Sequence, residues 1–369
     1  MTKSTYRPLA SCAERTVSIL LLFVAVASTL TAQENSSLDS QRARTLDRQG
    51  YWLLLINGID PQSASTQSFL TQPPSIVTVR TDGTGKNVLT EPGNFSPSWT
   101  PDGKIIFISG RSGSPQIWIM DADGSQPQQI GNLYANMPFA KPQQGTNGLI
   151  SFWGADMSGN SAIWIMQKDG SGLKELVQGG QQPSLALSGK WLTYTVQTEQ
   201  PYHREIYRIN TDGTGLQQLT FLGDPDYPDA NASSISPDET MIAFFSGKEA
   251  DEGAAGFTQS IFTWGHRNVA VIPAGGGPRR TLTSCKPVTT PAEIEALGPG
   301  DCVAADNPAW SPDGQWIIHD RGSTISGTQT WMIDVNGQNN RLLYPESRGT
   351  ENVPVKYVWP RSIRFRPKD

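Results

Sequence analysis

The sequence is poor in the side chains that carry most enzymatic chemistry. It holds three histidines, three cysteines and 17% charged residues in 369 positions. His203, His266 and His319 are scattered and no His-Glu-x-x-His occurs, so a histidine-rich metal centre has little support. No Gly-x-Ser-x-Gly is present, which removes the usual nucleophile elbow. Beyond residue 30 there is no long apolar run, and beyond residue 48 no long pattern of 3.6-residue period. A helical architecture is therefore not expected, apart from a short helix over Pro291–Leu297.

The one long apolar stretch, Val17 to Leu30, follows Lys3, Arg7 and Arg15 and precedes Leu30-Thr-Ala32. A basic start, an apolar core and a small-residue cleavage site read as a signal peptide over 1–32. The stretch is short for a bilayer span, so no membrane segment is expected after cleavage. Removing it moves the net charge from −5 to −7. An acidic exported chain is a poor partner for nucleic acid. The mature chain keeps Cys285 and Cys302, which an oxidising compartment would join as a disulfide. Closing that loop is worth about 3 kcal/mol by chain entropy. The expected location is periplasmic or secreted.

What the chain has in abundance is turns, with 36 glycines and 27 prolines. Six glycines are each followed six residues later by Leu or Ile: Gly83/Leu89, Gly124/Ile130, Gly170/Leu176, Gly213/Leu219, Gly276/Leu282 and Gly337/Leu343. A four-residue apolar run enters each one, as in Ile117-Trp-Ile-Met120 and Ile163-Trp-Ile-Met166. β-branched and aromatic residues ended by Asp-Gly or Asn-Gly mark a strand and a reversal. A second turn, Trp99-Thr-Pro-Asp-Gly103 or Trp310-Ser-Pro-Asp-Gly314, precedes further strands. Weaker copies are Ile235-Ser-Pro-Asp-Glu239 and Leu187-Ser-Gly-Lys190. One unit is thus four strands, A to D, with tight A–B and C–D turns. Glycine spacings of 41, 46, 43, 63 and 61 fit such units, the last two with insertions.

The Trp-Ser-Pro-Asp-Gly turn with Ile-Trp-Ile-Met before Asp-Gly resembles the PD40 (WD40-like) repeat of TolB-type propellers. The resemblance runs from about residue 50 to the C-terminus. It implies an all-β, six-bladed β-propeller with four-stranded antiparallel blades. Residues 33–48 are expected to form a mobile leader before a propeller over 49–369. Blades are expected near 49–90 plus 353–369, 95–131, 136–177, 181–220, 230–283 and 306–344, the C-terminal strand closing the ring. TolB also carries an α/β domain before its propeller, which is expected to be missing here, and this weakens any carry-over of the Tol–Pal role. Oligogalacturonate lyases share the repeat but use a histidine-rich metal site that three histidines do not match. Sialidase-type Ser-x-Asp-x-Gly boxes do not match the Ser-Pro-Asp-Gly order.

Strand alternation puts the A–B and C–D turns on one rim and the irregular B–C and D–A loops on the other. The expected binding residues on that loop rim are Arg111, Tyr134, Tyr202, His203, Arg204, Tyr227, Trp264, His266, Arg267 and Arg321. Solvated loops and salt bridges between blades are the plainer reading of each. Asp224, Asp226 and Asp229 form a carboxylate cluster that invites Ca²⁺, though two prolines favour an ordinary turn. No cofactor is expected otherwise. The first functional expectation is a monomeric, non-catalytic propeller that binds a protein or cell-envelope partner. The alternative is a carbohydrate-active lyase or hydrolase with its site in the central funnel.

Overall fold

The computed structural model describes residues 52–57, 75–80, 85–131, 140–155, 160–199, 203–221, 229–247, 267–286, 302, 304–323 and 327–344. All of their regular structure is β. The first sheet has three strands, Trp52–Asn57, Ser75–Arg80 and Asn87–Val88. The second has Asn94–Trp99, Ile105–Ser109, Gln116–Met120 and Gln128–Gln129. The third has Gln143–Gln144, Leu149–Ala155, Ser161–Gln167 and Lys174–Gln178. The fourth has Gly180–Leu185, Trp191–Gln197, Arg204–Asn210 and Gln217–Gln218. Neighbouring strands within each of these sheets run antiparallel, as expected from the paired turns.

The fifth sheet corrects the expected six separate blades. It holds eight strands: Asp229–Ile235, Met241–Gly247, Arg267–Pro273, Arg280–Thr281, Ala304–Trp310, Trp316–Ser323, Gly327–Asp334 and Arg341–Tyr344. The described residues thus form five sheets, not six. The cause is local. Arg280–Thr281 covers only Ala270 and Val271 of its neighbour, so Arg267 is left to pair in parallel with Ala304. Cys285 and Cys302 form the expected disulfide beside this bridge. The Cys285 N–H donates to Asn268 Oδ1 at 2.7 Å, next to Arg267. The expected closure by 353–369, the short helix at 291–297, and the signal and leader segments lie outside the described residues.

The core lies between successive sheets. Ile76 meets Trp99, Ile105, Phe107 and Met120, joining the first sheet to the second. Ile106, Ile108 and Ile117 meet Ile150, Phe152 and Met166. Ile163 meets Leu192 and Tyr194. Each such side chain contributes about 1.5–3 kcal/mol when fully buried. The strands that enter the Ser-Pro-Asp-Gly-type turns also pack on one another, Gly180–Leu185 on Asp229–Ile235 and that, within the fifth sheet, on Ala304–Trp310. Ser96, Lys141, Gln182, Ala232 and Asn307 occupy matching left-handed positions in or just before the strand that opens each repeat unit, with φ of 47°, 46°, 47°, 51° and 47°. The register shifts beside Ser96, Gln182, Ala232 and Asn307, as a bulge requires.

The turn chemistry accounts for the repeated residues. Thr100, Ser236 and Ser311 each accept a backbone N–H through the side-chain oxygen, from Lys104, Met241 and Trp316, all at 2.9 Å. The Ser236 and Ser311 hydroxyls donate to Asp238 and Asp313 at 2.6 and 2.5 Å. In the other turn Asp123, Asp169 and Asp212 accept both the N–H and the hydroxyl of Ser125, Ser171 and Thr214. Those bonds, the hydroxyl ones first, hold all three carboxyls below their ordinary pKa. Gly124 has φ +89°, and a β-carbon there would lie 2.6 Å from the Leu89 carbonyl oxygen. Thr211 N–H donates to Lys190 O at 2.9 Å, and Lys104 is paired with Asp121, so both turn types share one rim.

Candidate loop-rim site

Opposite the turns, four of the expected arginines lie against aromatic rings. Arg111 leaves the strand Ile105–Ser109. Its Nε donates to Ser109 Oγ at 3.0 Å and a terminal nitrogen to Asn94 Oδ1 at 3.0 Å. Its guanidinium carbon stands 5.4 Å from the Phe107 ring centre and 4.8 Å from that of Trp118. Arg321 stacks on Trp331 at 4.3 Å. Arg204 and Arg267 both approach the buried Phe245 ring, at 5.8 and 4.9 Å. Guanidinium planes over aromatic faces gain about 0.5–2 kcal/mol as cation–π pairs.

Arg204 also spans two sheets. Its Nε and a terminal nitrogen donate to the two oxygens of Asp229 at 2.8 and 2.6 Å. The Asp229 side chain is 1% exposed. A planar fork on a carboxylate is the strongest form of this bond. Asp229, one of the three weak calcium candidates, is thus engaged by a guanidinium. Asp224 and Asp226 lie outside the described residues. Among the described residues no group of three or more His, Cys, Asp or Glu side chains comes together as a metal site.

His203 lies beside Arg204, and its carbonyl oxygen accepts bonds from Thr198 N–H at 2.9 Å and Gln197 Nε2 at 3.0 Å. Tyr134, Tyr202, Tyr227, Trp264 and His266 lie outside the described residues. His319 is a core residue. Its ring nitrogens meet Asp320 O at 3.1 Å and Asn340 Oδ1 at 3.2 Å, and burial lowers its pKa to about 4.

Two residues that sequence reasoning passed over belong to this rim. They surround a Leu-Thr doublet repeated as Leu89-Thr90, Leu219-Thr220 and Leu282-Thr283. Each threonine oxygen accepts the N–H that opens the adjacent strand's apolar run, from Ile76, Ile206 and Val269 at 3.0, 2.9 and 2.9 Å. The Thr283 hydroxyl then donates to Asn268 Oδ1 at 2.9 Å, whereas that of Thr220 donates to Glu205. Glu205 is thus a buried acid where the neighbouring unit uses an amide. Its pKa is raised by burial first, with the charge of Asp229 adding to it against the Thr220 bond. The second residue is Phe221, which follows the doublet and is 71% exposed. The equivalent places hold Glu91 and Ser284. The signal for both was a departure from a repeat that was itself overlooked.

Solved structures with this fold include TolB from Acinetobacter baumannii, at 18% identity and a TM-score of 0.61 over 86% of this chain and 67% of that one. A TolB-designated protein of Agrobacterium tumefaciens matches at 15% identity and a TM-score of 0.54 over 80% of this chain and 88% of its own. A chain of a nidogen–laminin complex matches at 10% identity and a TM-score of 0.52 over 86% of this chain and 99% of its own. At these identities the likeness is one of fold. None of the curated proteins matches the chain in sequence. The PD40 description, TolB beta propeller domain, matches residues 67–261, more than half of the chain. The chain belongs to the PD40 family of TolB-type β-propeller domains.

Proposed function

We propose that this propeller is an exported, non-catalytic scaffold that holds a protein partner of the cell envelope on its loop rim. The observation that carries the reading is Phe221, a large apolar ring 71% exposed where the repeat elsewhere has a polar residue. Exposed aromatics ringed by polar groups are the usual anchors of protein interfaces. Phe221 directly follows Thr220, whose hydroxyl donates to Glu205, and the adjacent Arg204 is paired with Asp229 of the next sheet. The family relationship to TolB propellers is consistent with a protein partner. Export is supported by the signal-type segment 1–32 and by the disulfide between Cys285 and Cys302. The carbohydrate-active alternative calls for unengaged carboxylates, and Asp229 is taken up by Arg204.

The test is capture of partners from envelope extract by the mature chain, with two single variants. Phe221→Ser alters the loop rim, and Leu216→Ser alters an exposed apolar residue on the turn rim. The wild type and Leu216→Ser are expected to recover the same partner and Phe221→Ser to lose it. Equal recovery by Phe221→Ser would sink the proposal. Export is tested separately by expressing the full chain, which should be recovered outside the cytoplasm beginning at Gln33.

A further inference from the structure

On the turn rim, a cleft of about 190 Å³ opens between the second and third sheets. Its lining residues include Gln126, Gln128 and Gln144, together with Lys168. Ile119 and the buried Met120 form an apolar floor. Two of these residues break local rules. Gln126 has φ +54°, where three other units have Gly85, Gly172 and Gly215 at φ +64°, +65° and +69° and the last has Asn339, a residue that tolerates this region, at +52°. An L side chain is disfavoured in that conformation, and outliers of this kind gather at functional positions. Gln144 has a buried Oε1 with no hydrogen-bond partner among the described residues. A buried acceptor left alone is costly and wants an explanation.

The charges of the cleft are largely spoken for. Lys104 is paired with Asp121, and Asp102 accepts the Thr100 hydroxyl at 2.5 Å. What remains is a set of amides that both donate and accept, one ammonium, and an apolar floor. Adjacent hydroxyls on a saturated ring need that combination, the hydroxyls meeting amides and the C–H face meeting Ile119 and Met120. The volume is below the 300–1,000 Å³ or so of drug-sized pockets, which suits one ring. We propose that this cleft binds a single sugar-type ring, a small neutral polyhydroxylated ligand, with Gln126, Gln128 and Gln144 as its hydrogen-bonding wall.

Saturation-transfer NMR on the mature chain, with glucose, N-acetylglucosamine and sulfate as separate probes, tests this. At least one sugar should show millimolar, one-site binding that Gln126→Gly and Gln144→Leu each weaken at least tenfold. Gln126→Gly installs the residue that three other units carry, so its fold is expected to be intact. The proposal fails if neither sugar binds, if sulfate alone binds through Lys168, or if Gln126→Gly binds as the wild type does. The cleft lies on the rim opposite Phe221, so Phe221→Ser should leave sugar binding unchanged whatever becomes of partner capture.

Discussion

The two rims of this propeller join their sheets in different ways. On the turn rim the fastening is addressed mainly to backbone. Asn147 Nδ2 donates to Gly189 O at 3.2 Å, and Glu239 Oε1 accepts the Ser188 N–H at 2.6 Å. On the loop rim it runs side chain to side chain, Arg204 to Asp229 and Arg204 to the Phe245 ring. Backbone groups are present at every position, so the turn rim can repeat one recipe. A side-chain pair needs two particular residues that meet only in space, so the loop rim varies from unit to unit. The rim that varies is the one free to acquire a partner.

The sharpest way to break this contrast is to cut one fastening on each rim. Arg204→Ala removes the Arg204 guanidinium from the Asp229 carboxylate, which is 1% exposed. Losing one partner of a buried pair costs about 3 kcal/mol, because the remaining charge stays out of water. Urea unfolding should show that loss, and Asp229→Asn in the same chain should recover part of it by removing the buried charge. If Arg204→Ala unfolds at the wild-type midpoint, the pair does not fasten the sheets.

The same contrast explains what was legible in the residues. Ser236, Asp238 and Asp212 act within two to five positions of themselves, so their roles show in the local order of letters. Arg204 and Asp229 are 25 residues apart, and nothing near either one names the other. The sequence therefore groups Asp229 with Asp224 and Asp226, as part of an ordinary turn or a weak calcium candidate, and not with its partner in space. The five-sheet arrangement was hidden for a similar reason. It turns on one parallel bridge, Arg267 to Ala304, between strands separated by an insertion. Glu239 was visible as an imperfect Ser-Pro-Asp-Gly, but its purpose was not.

Glu239 offers the intermediate test, on the turn rim. It takes φ +60° where Gly103 and Gly314 stand in sister turns, at +79° and +68°. In return its carboxylate accepts bonds from Ser188 N–H at 2.6 Å, Ser188 Oγ at 3.1 Å and Trp191 Nε1 at 2.8 Å. Glu239→Ala keeps the strained backbone and loses all three bonds, an expected cost of about 2 kcal/mol. Glu239→Gly loses the bonds but relieves the strain, so it should cost about 1 kcal/mol less than alanine. Thermal unfolding of the two variants ranks them. Alanine as stable as glycine would mean that the left-handed backbone carries no strain.

The smallest effect is expected at Glu205, and it depends on pH. Burial raises its pKa in the folded chain, so the folded state binds a proton there more readily than the unfolded state. The stability it contributes is fully present below its unfolded pKa and is lost as pH rises through the raised folded value. Glu205→Gln keeps an oxygen for the Thr220 hydroxyl, as Asn268 does for Thr283, and cannot ionise. The variant should match the wild type at low pH and exceed it at neutral pH by less than about 1 kcal/mol, the net size of one hydrogen bond. Because the charge of Asp229 is among the causes, the gap should shrink in an Asp229→Asn background. A constant difference between wild type and Glu205→Gln from pH 4 to pH 8 would show that Glu205 takes up no extra proton on folding. It would then be an ordinary acceptor in the Leu-Thr device, and the loop rim would hold one rule-breaking residue, Phe221, instead of two.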